Sequence, residues 1–125
     1  MATLTPTLTL ASTDALSDAI SFSATLGLSV EPPSKGLSKI DADNAGANSI
    51  IVPVGAAAIV YLYVKHTGTT DGSTATTTLV DVEDSDNVPF ARLGAGEFLF
   101  MPYSKAGGSK GVQLQTTSGT VQMEY

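Results

Sequence analysis

The sequence predicts an all-β protein: one antiparallel β-sandwich domain, jelly-roll-like, of about eight strands. Three observations carry that expectation. Apolar residues fall on every second position over long stretches. Gly, Pro, Asn and Asp punctuate the chain at short intervals. Charged residues make up only 14% of the 125 residues, while hydrophobic ones reach 42%. The charged share lies well below the usual ~25%, and Thr, Ser and Gly fill the gap. Such a chain is not charge-solvated and disordered. Nor can it clothe the outer faces of a helical bundle. Its length fits one ordinary domain.

The elements follow in chain order. Residues 3–10 place Leu8 and Leu10 on one face with threonines between. Pro6 has no N–H to give a ladder, so this stretch reads as a partly paired edge. Residues 1–13 are therefore either an extended N-terminal arm or a first strand, ahead of a sandwich domain at 14–125. One helical turn is conceivable at 12–19, where Asp14 can cap it. Residues 20–30 alternate without a break: Ile20, Phe22, Ala24, Leu26, Leu28 and Val30 against Ser21, Ser23, Thr25, Gly27 and Ser29. A period of two predicts a strand with one buried face, ended by Pro32-Pro33. Further strands are expected at 49–54, 58–65, 76–83 and 97–103. Residues 111–116 and 120–125 read as a closing hairpin turned through Thr117-Ser118-Gly119. The runs 58–65 and 97–103 are apolar on both faces, which fits a central strand or one whose outer face meets a partner. The core expected from these patterns is Phe22, Leu26, Leu62, Phe98, Phe100, Leu114 and Val121. Turns are expected at 44–46, 67–68, 71–72, 94–96 and 107–108.

Composition also bounds function. The formal net charge is −6, with six Lys and Arg in all. A basic patch for nucleic acid or an anionic membrane is not expected. Cysteine is absent, which removes disulfides, thiolate chemistry and Cys-ligated zinc. His66 is the single histidine. No apolar run is long enough for a membrane-spanning helix. The first residues lack the basic and apolar regions of a secretory signal, which predicts synthesis in a reducing cytosol.

Candidate chemistry is sparse. Asp81, Glu83, Asp84 and Asp86 form the densest acidic cluster and are the weak candidates for a hard cation such as calcium. They lack EF-hand spacing, and a solvated strand end and turn is the simpler expectation. Asp41, Asp43 and Asn44 read as turn formers. His66 has no nucleophile and acid nearby in sequence and is expected on the surface or at a loop hinge. Gly94-Ala95-Gly96-Glu97 feeds a strand rather than a helix, so it is a tight turn and not a phosphate loop. No catalytic residue and no cofactor is expected. Tyr61, Tyr63 and Tyr103 either pack on the sheet or anchor an interface. With Leu4, Leu8, Leu10, Leu99 and Met101 they make up the candidate interface residues.

Three segments carry a resemblance: 60–71 (VYLYVKHTGTTD), 90–103 (FARLGAGEFLFMPY) and 111–125 (GVQLQTTSGTVQMEY). Together they resemble small all-β virion proteins of tailed bacteriophages, and the Thr-rich, Cys-free, acidic composition is similar to that of marine cyanophage structural proteins. The resemblance spans roughly residues 58–125 and consists of strands and turns, with no catalytic signature. It implies a non-enzymatic virion component, most simply a capsid decoration or cement protein. That role implies assembly in the host cytoplasm, a place on the capsid exterior, a homotrimer, and the major capsid protein as partner. The alternatives are a receptor- or carbohydrate-binding β module of a tail fibre or spike, and a head-to-tail accessory protein.

Overall fold

The computed structural model describes residues 2–14, 19–30, 37–44, 49–54, 59–104 and 110–125. The turns expected at 32–33 and 107–108, residues 15–18 of the turn expected at 12–19, and residues 45–46 of that at 44–46 lie outside the described residues. Within them the chain is all-β: twelve strands, every pairing antiparallel, and no helix. The chain divides into two compact units, Met1–Gly36 and Leu37–Tyr125.

The first unit is a two-stranded ribbon. It contains β1 (Ala2–Leu4), β2 (Thr7–Ser12), β3 (Ile20–Thr25) and β4 (Leu28–Val30). β1 pairs with β4 from Ala2↔Val30 to Leu4↔Leu28, and β2 pairs with β3 from Thr7↔Thr25 to Ser12↔Ile20. Both ladders keep the same register. The interruption falls at Pro6, which cannot donate; its carbonyl still accepts the Leu26 N–H at 3.2 Å. Residues opposite one another share a face. Leu4, Leu8 and Leu10 therefore lie with Phe22, Ala24, Leu26 and Leu28 on one side, and Thr3, Thr7, Thr9, Ser21, Ser23 and Thr25 lie on the other. The alternation at 20–30 is thus real, but among the described side chains of its apolar side only Leu28, opposite Leu4, is buried. Phe22 is 50% and Leu26 59% exposed, so the expectation that both are buried is corrected. Period two shows that side chains share a face; it does not show that anything covers that face.

The second unit is built from eight strands: β5 (Lys39–Ala42), β6 (Ser49–Val52), β7 (Ile59–His66), β8 (Val80–Asp84), β9 (Pro89–Leu93), β10 (Phe98–Ser104), β11 (Val112–Thr116) and β12 (Val121–Glu124). Their pairing is nested: β5 with β12, β6 with β11, β7 with β10, and β8 with β9. Two further ladders, β7–β12 and β8–β11, complete two four-stranded sheets ordered β10-β7-β12-β5 and β6-β11-β8-β9. The sheets face one another as a sandwich over one shared core. Ala42, Leu62, Val64, Val121 and Met123 come from the first sheet. Ile51, Val52, Val80, Val82, Leu93, Val112 and Leu114 come from the second.

Three expectations are corrected here. β11 and β12 do not form a hairpin, because they lie in different sheets. The connection crosses the sandwich through Gly119, whose φ of 61° suits glycine. The strands β5 and β9 were not anticipated, being short and broken by charges and Pro89. Finally, the faces of 97–103 are exchanged. Leu99 and Met101 lie opposite Val64 and Leu62 and pack on the core, whereas Phe98 and Phe100 lie opposite Lys65 and Tyr63 on the outside. Phe98 is 60% and Phe100 39% exposed. A strand apolar on both faces carries no signal for which side is in. Leu62, Leu114 and Val121 are buried as expected.

Candidate interaction surfaces

The outer face of β7 and β10 is the most distinctive surface of the second unit. Register places Tyr61 opposite Pro102, Tyr63 opposite Phe100, and Lys65 opposite Phe98. Four aromatic rings therefore share one outward face beside a single lysine. Pro102 is tolerated because β10 is an edge strand. The Tyr63 hydroxyl donates to Glu124 Oε1 at 3.1 Å across β12. Partial burial, and then the Glu124 carboxylate, hold this phenol above its ordinary range. The patch is held on the rigid core rather than on a loop. Of the sequence-derived interface candidates, Tyr61 and Tyr63 lie here, whereas Leu99, Met101 and Tyr103 turn inward and pack against the core. Leu4, Leu8 and Leu10 lie on the ribbon of the first unit and are half-exposed.

A groove of about 500 Å³ opens between the edge strands β9 and β10. Val88, Phe90, Leu99, Met101 and Tyr103 line it, with Asp84 at its rim. Phe90 and Tyr103 stack across it with ring centroids 5.9 Å apart. The Tyr103 hydroxyl donates to the Gly111 carbonyl at 3.4 Å. The lining is apolar and its polar groups already have partners, so the groove suits an apolar side chain better than a reacting polar substrate.

The acidic cluster does not converge on a cation. Asp81 accepts a bidentate pair from Arg92 at 2.6 and 2.8 Å, which holds the guanidinium pKa above its ordinary value. Glu83 is buried and accepts the Gln113 amide at 2.9 Å. Asp84 and Asp86 share Lys110, and Lys110 donates to Asp84 at 2.9 Å. That contact holds the Asp84 carboxyl below its ordinary range, and the two carboxylates hold Lys110 above its own. Asp84 Oδ1 also accepts the N–H groups of Asp86 and Val88, and Asn87 sits at φ 61°. The cluster is thus the β8–β9 turn with its flanking pairs. Among the described residues, no three His, Cys, Asp or Glu side chains are placed to hold a metal ion. Asp41 lies on β5 opposite Gln122, and its carbonyl accepts the Ser49 hydroxyl at 2.6 Å.

His66 is fully buried, which corrects its expected place on the surface. Its Nδ1 accepts the Gly68 N–H at 2.9 Å, so Nε2 carries the proton and donates to the Thr78 carbonyl at 2.8 Å. It ties both ends of the β7–β8 connection to the core. That connection is further held by Thr67 Oγ1, which donates to Gln122 O at 2.7 Å. Asp71 Oδ1 accepts the Ser73 and Thr74 N–H groups. The histidine is structural. Gly94 to Glu97 form the expected tight turn, with Gly96 at φ 81° and the Gly94 N–H donating to the Glu97 carboxylate at 2.7 Å.

Sequence reasoning missed Phe90, Phe98 and Phe100 as surface residues. The first lies on an unanticipated strand, and the other two lie on a strand without a polar face. No family model matches the chain, and no curated protein and no solved structure is similar to it.

Proposed function

We propose that this chain is a non-enzymatic virion structural protein of a tailed phage, a decoration protein that stabilises a capsid by bridging capsomers from outside. In this reading it assembles as a homotrimer and takes the major capsid protein as its partner. The observation that carries the reading is the aromatic outer face of β7 and β10. Tyr61, Tyr63, Phe98 and Phe100 stand on a rigid sandwich without a covering element in their unit. Aromatic residues of this kind are the usual anchors of protein interfaces. The nested pairing of the second unit supports the same reading. We take it as the wiring of a jelly roll, a fold used by viral capsid and lectin domains. Fold alone does not set function, so the aromatic face bears the weight. Many copies of a small clamp, each binding modestly, stabilise a shell through multivalency.

The test is re-addition of the purified chain to shells stripped of it, with copy number counted by quantitative mass spectrometry. Saturation at hundreds of copies per shell is expected. Phe98→Asp should abolish re-binding while leaving the melting temperature unchanged, because Phe98 lies outside the core. A few to tens of copies per particle would point instead to a head-to-tail or fibre location. Retention on a glycan column, lost on Tyr61→Ala, would favour a carbohydrate-binding module.

A further inference from the structure

We propose that a second copy of this chain covers the apolar face of the ribbon in the first unit. The inference rests on the self-association part of the reading above but not on its trimer, because a face that meets its own copy closes as a pair. Leu4, Leu8, Leu10, Phe22 and Leu26 share that face and are each about half exposed, whereas Leu28 at its β1–β4 end is buried. From Leu4 to Leu10 the half-exposed stretch runs for roughly 20 Å. A two-stranded ribbon is marginal in water by itself, so such a face calls for a cover.

Charge decides which cover. All twelve acidic residues and all six basic ones lie outside residues 2–13 and 19–30. The chain as a whole carries −6, so copies meeting through most other surfaces repel one another. Across the ribbon they meet without any like-charge contact. A cationic partner would be drawn to the acidic second unit, and it finds no counter-charge on the ribbon. A second copy presents the same neutral, apolar face, as a symmetric contact requires. Relief also matches. The pair Leu8–Ala24 is a notch between the ridges Leu10–Phe22 and Pro6–Leu26, so the ridge of one copy has a notch to fill on the other.

The test is the mass of the full chain by light scattering over a range of concentrations. The wild type is expected to form an oligomer. Leu10→Asp should return it to monomer, whereas Thr9→Asp, on the opposite side of the same strand, should leave the oligomer intact. Circular dichroism of both variants should retain the β signal of the second unit. A monomeric wild type at 100 μM and above would overturn the inference, as would a Leu10→Asp variant whose mass is unchanged. A lowered melting temperature for that variant without a change of mass would mean that the chain covers its own ribbon, and it too would overturn the inference. Shell re-binding by a chain that proves monomeric would leave the virion reading standing while this one fails.

Discussion

The ribbon of residues 2–30 and the sandwich of 37–125 are written in the same code and use it differently. Both alternate apolar and small polar residues at period two. In the sandwich, Val80 and Val82 on β8 and Val121 and Met123 on β12 point into a shared core and are fully buried. In the ribbon, Leu8, Leu10 and Phe22 alternate just as cleanly and stay half-exposed. The sandwich has a second sheet to close over its face. Among the described residues of its unit the ribbon has no opposing layer, and Leu28 is its one buried side chain. Alternation is therefore a statement about sidedness, and burial is a property of what lies opposite.

The largest expected effect tests that contrast directly. Leu114 is fully buried in the sandwich core, and Leu10 is 52% exposed on the ribbon. Leu114→Ala should cost ~2–5 kcal/mol in chemical denaturation. That is a large part of the stability of a domain this size. Leu10→Ala should cost less than ~1 kcal/mol in dilute protein, because half of its surface is already in water. If a second copy covers the ribbon, the Leu10→Ala cost should grow with protein concentration while the Leu114→Ala cost does not. Equal, concentration-independent losses at both sites would show that the ribbon is as well covered as the core.

This contrast also explains what was legible in the sequence. The strands at 49–52, 59–66, 98–104 and 121–124 could be read from their apolar runs, as could the turns at Gly68, Gly72 and Gly96, where positive φ suits glycine. The break at Pro6 followed from its missing N–H. Sidedness failed where both faces were apolar, which is why Phe98 and Leu99 were assigned to the wrong sides. His66 was misplaced because its partners are the backbone of Gly68 and Thr78, and a backbone carbonyl twelve residues away leaves no mark on side-chain pattern. The β11–β12 connection resembled a hairpin because three residues with a glycine can equally well cross from one sheet to the other. The aromatic face followed from register, which one strand alone does not reveal.

A pair of glycines gives a smaller and sharper test. In the sandwich, a Cβ on Gly111 would sit 2.5 Å from the Val52 carbonyl oxygen and 3.1 Å from the Val54 nitrogen. The obstacle is backbone of the neighbouring β6 edge, which cannot swing aside as a side-chain end would. Gly111→Ala should cost ~1–3 kcal/mol, the usual range for forcing extra volume into a packed site. In the ribbon, a Cβ on Gly27 meets nothing within 4 Å, and its φ is not in the left-handed region. Gly27→Ala should be neutral or stabilising by up to ~0.4–1 kcal/mol, because alanine narrows the unfolded ensemble. Exchange of the ribbon amides is the readout for Gly27, and denaturation of the whole chain is the readout for Gly111. A destabilising Gly27→Ala would show that something packs on the polar side of the ribbon.

The smallest effect concerns acid. The sandwich carries charge contacts at its turns and between β8 and β9, and the ribbon has no ionisable side chain at 2–13 or 19–30. Asp71 is the clearest case. The Thr74 N–H and then the Ser73 N–H, reinforced by both hydroxyls, hold its carboxyl down to about 2 from an ordinary 3.8. A carboxylate depressed by folding stabilises its turn above the ordinary value, and the contribution is lost as pH falls toward the folded value. For Asp71 that window runs from about pH 4 down to about pH 2. Asp84, lowered chiefly by Lys110, follows the same direction at the β8–β9 turn. After correction for intrinsic rates, the Ser73 and Thr74 amides should lose protection from about pH 4 down to about pH 2, and the Asp86 and Val88 amides should lose protection in the same direction. Ribbon amides such as those of Leu10 and Phe22 should not. Asp71→Asn should flatten the response of Ser73 and Thr74 and leave that of Asp86 and Val88 in place. These groups are exposed, so salt screens them and the shift in whole-chain stability is slight; exchange at single amides is the measurement with the needed resolution. An acid limb in the ribbon amides matching that of the turns would mean that the two units unfold together, and the separation between covered and uncovered faces would then have to be drawn elsewhere.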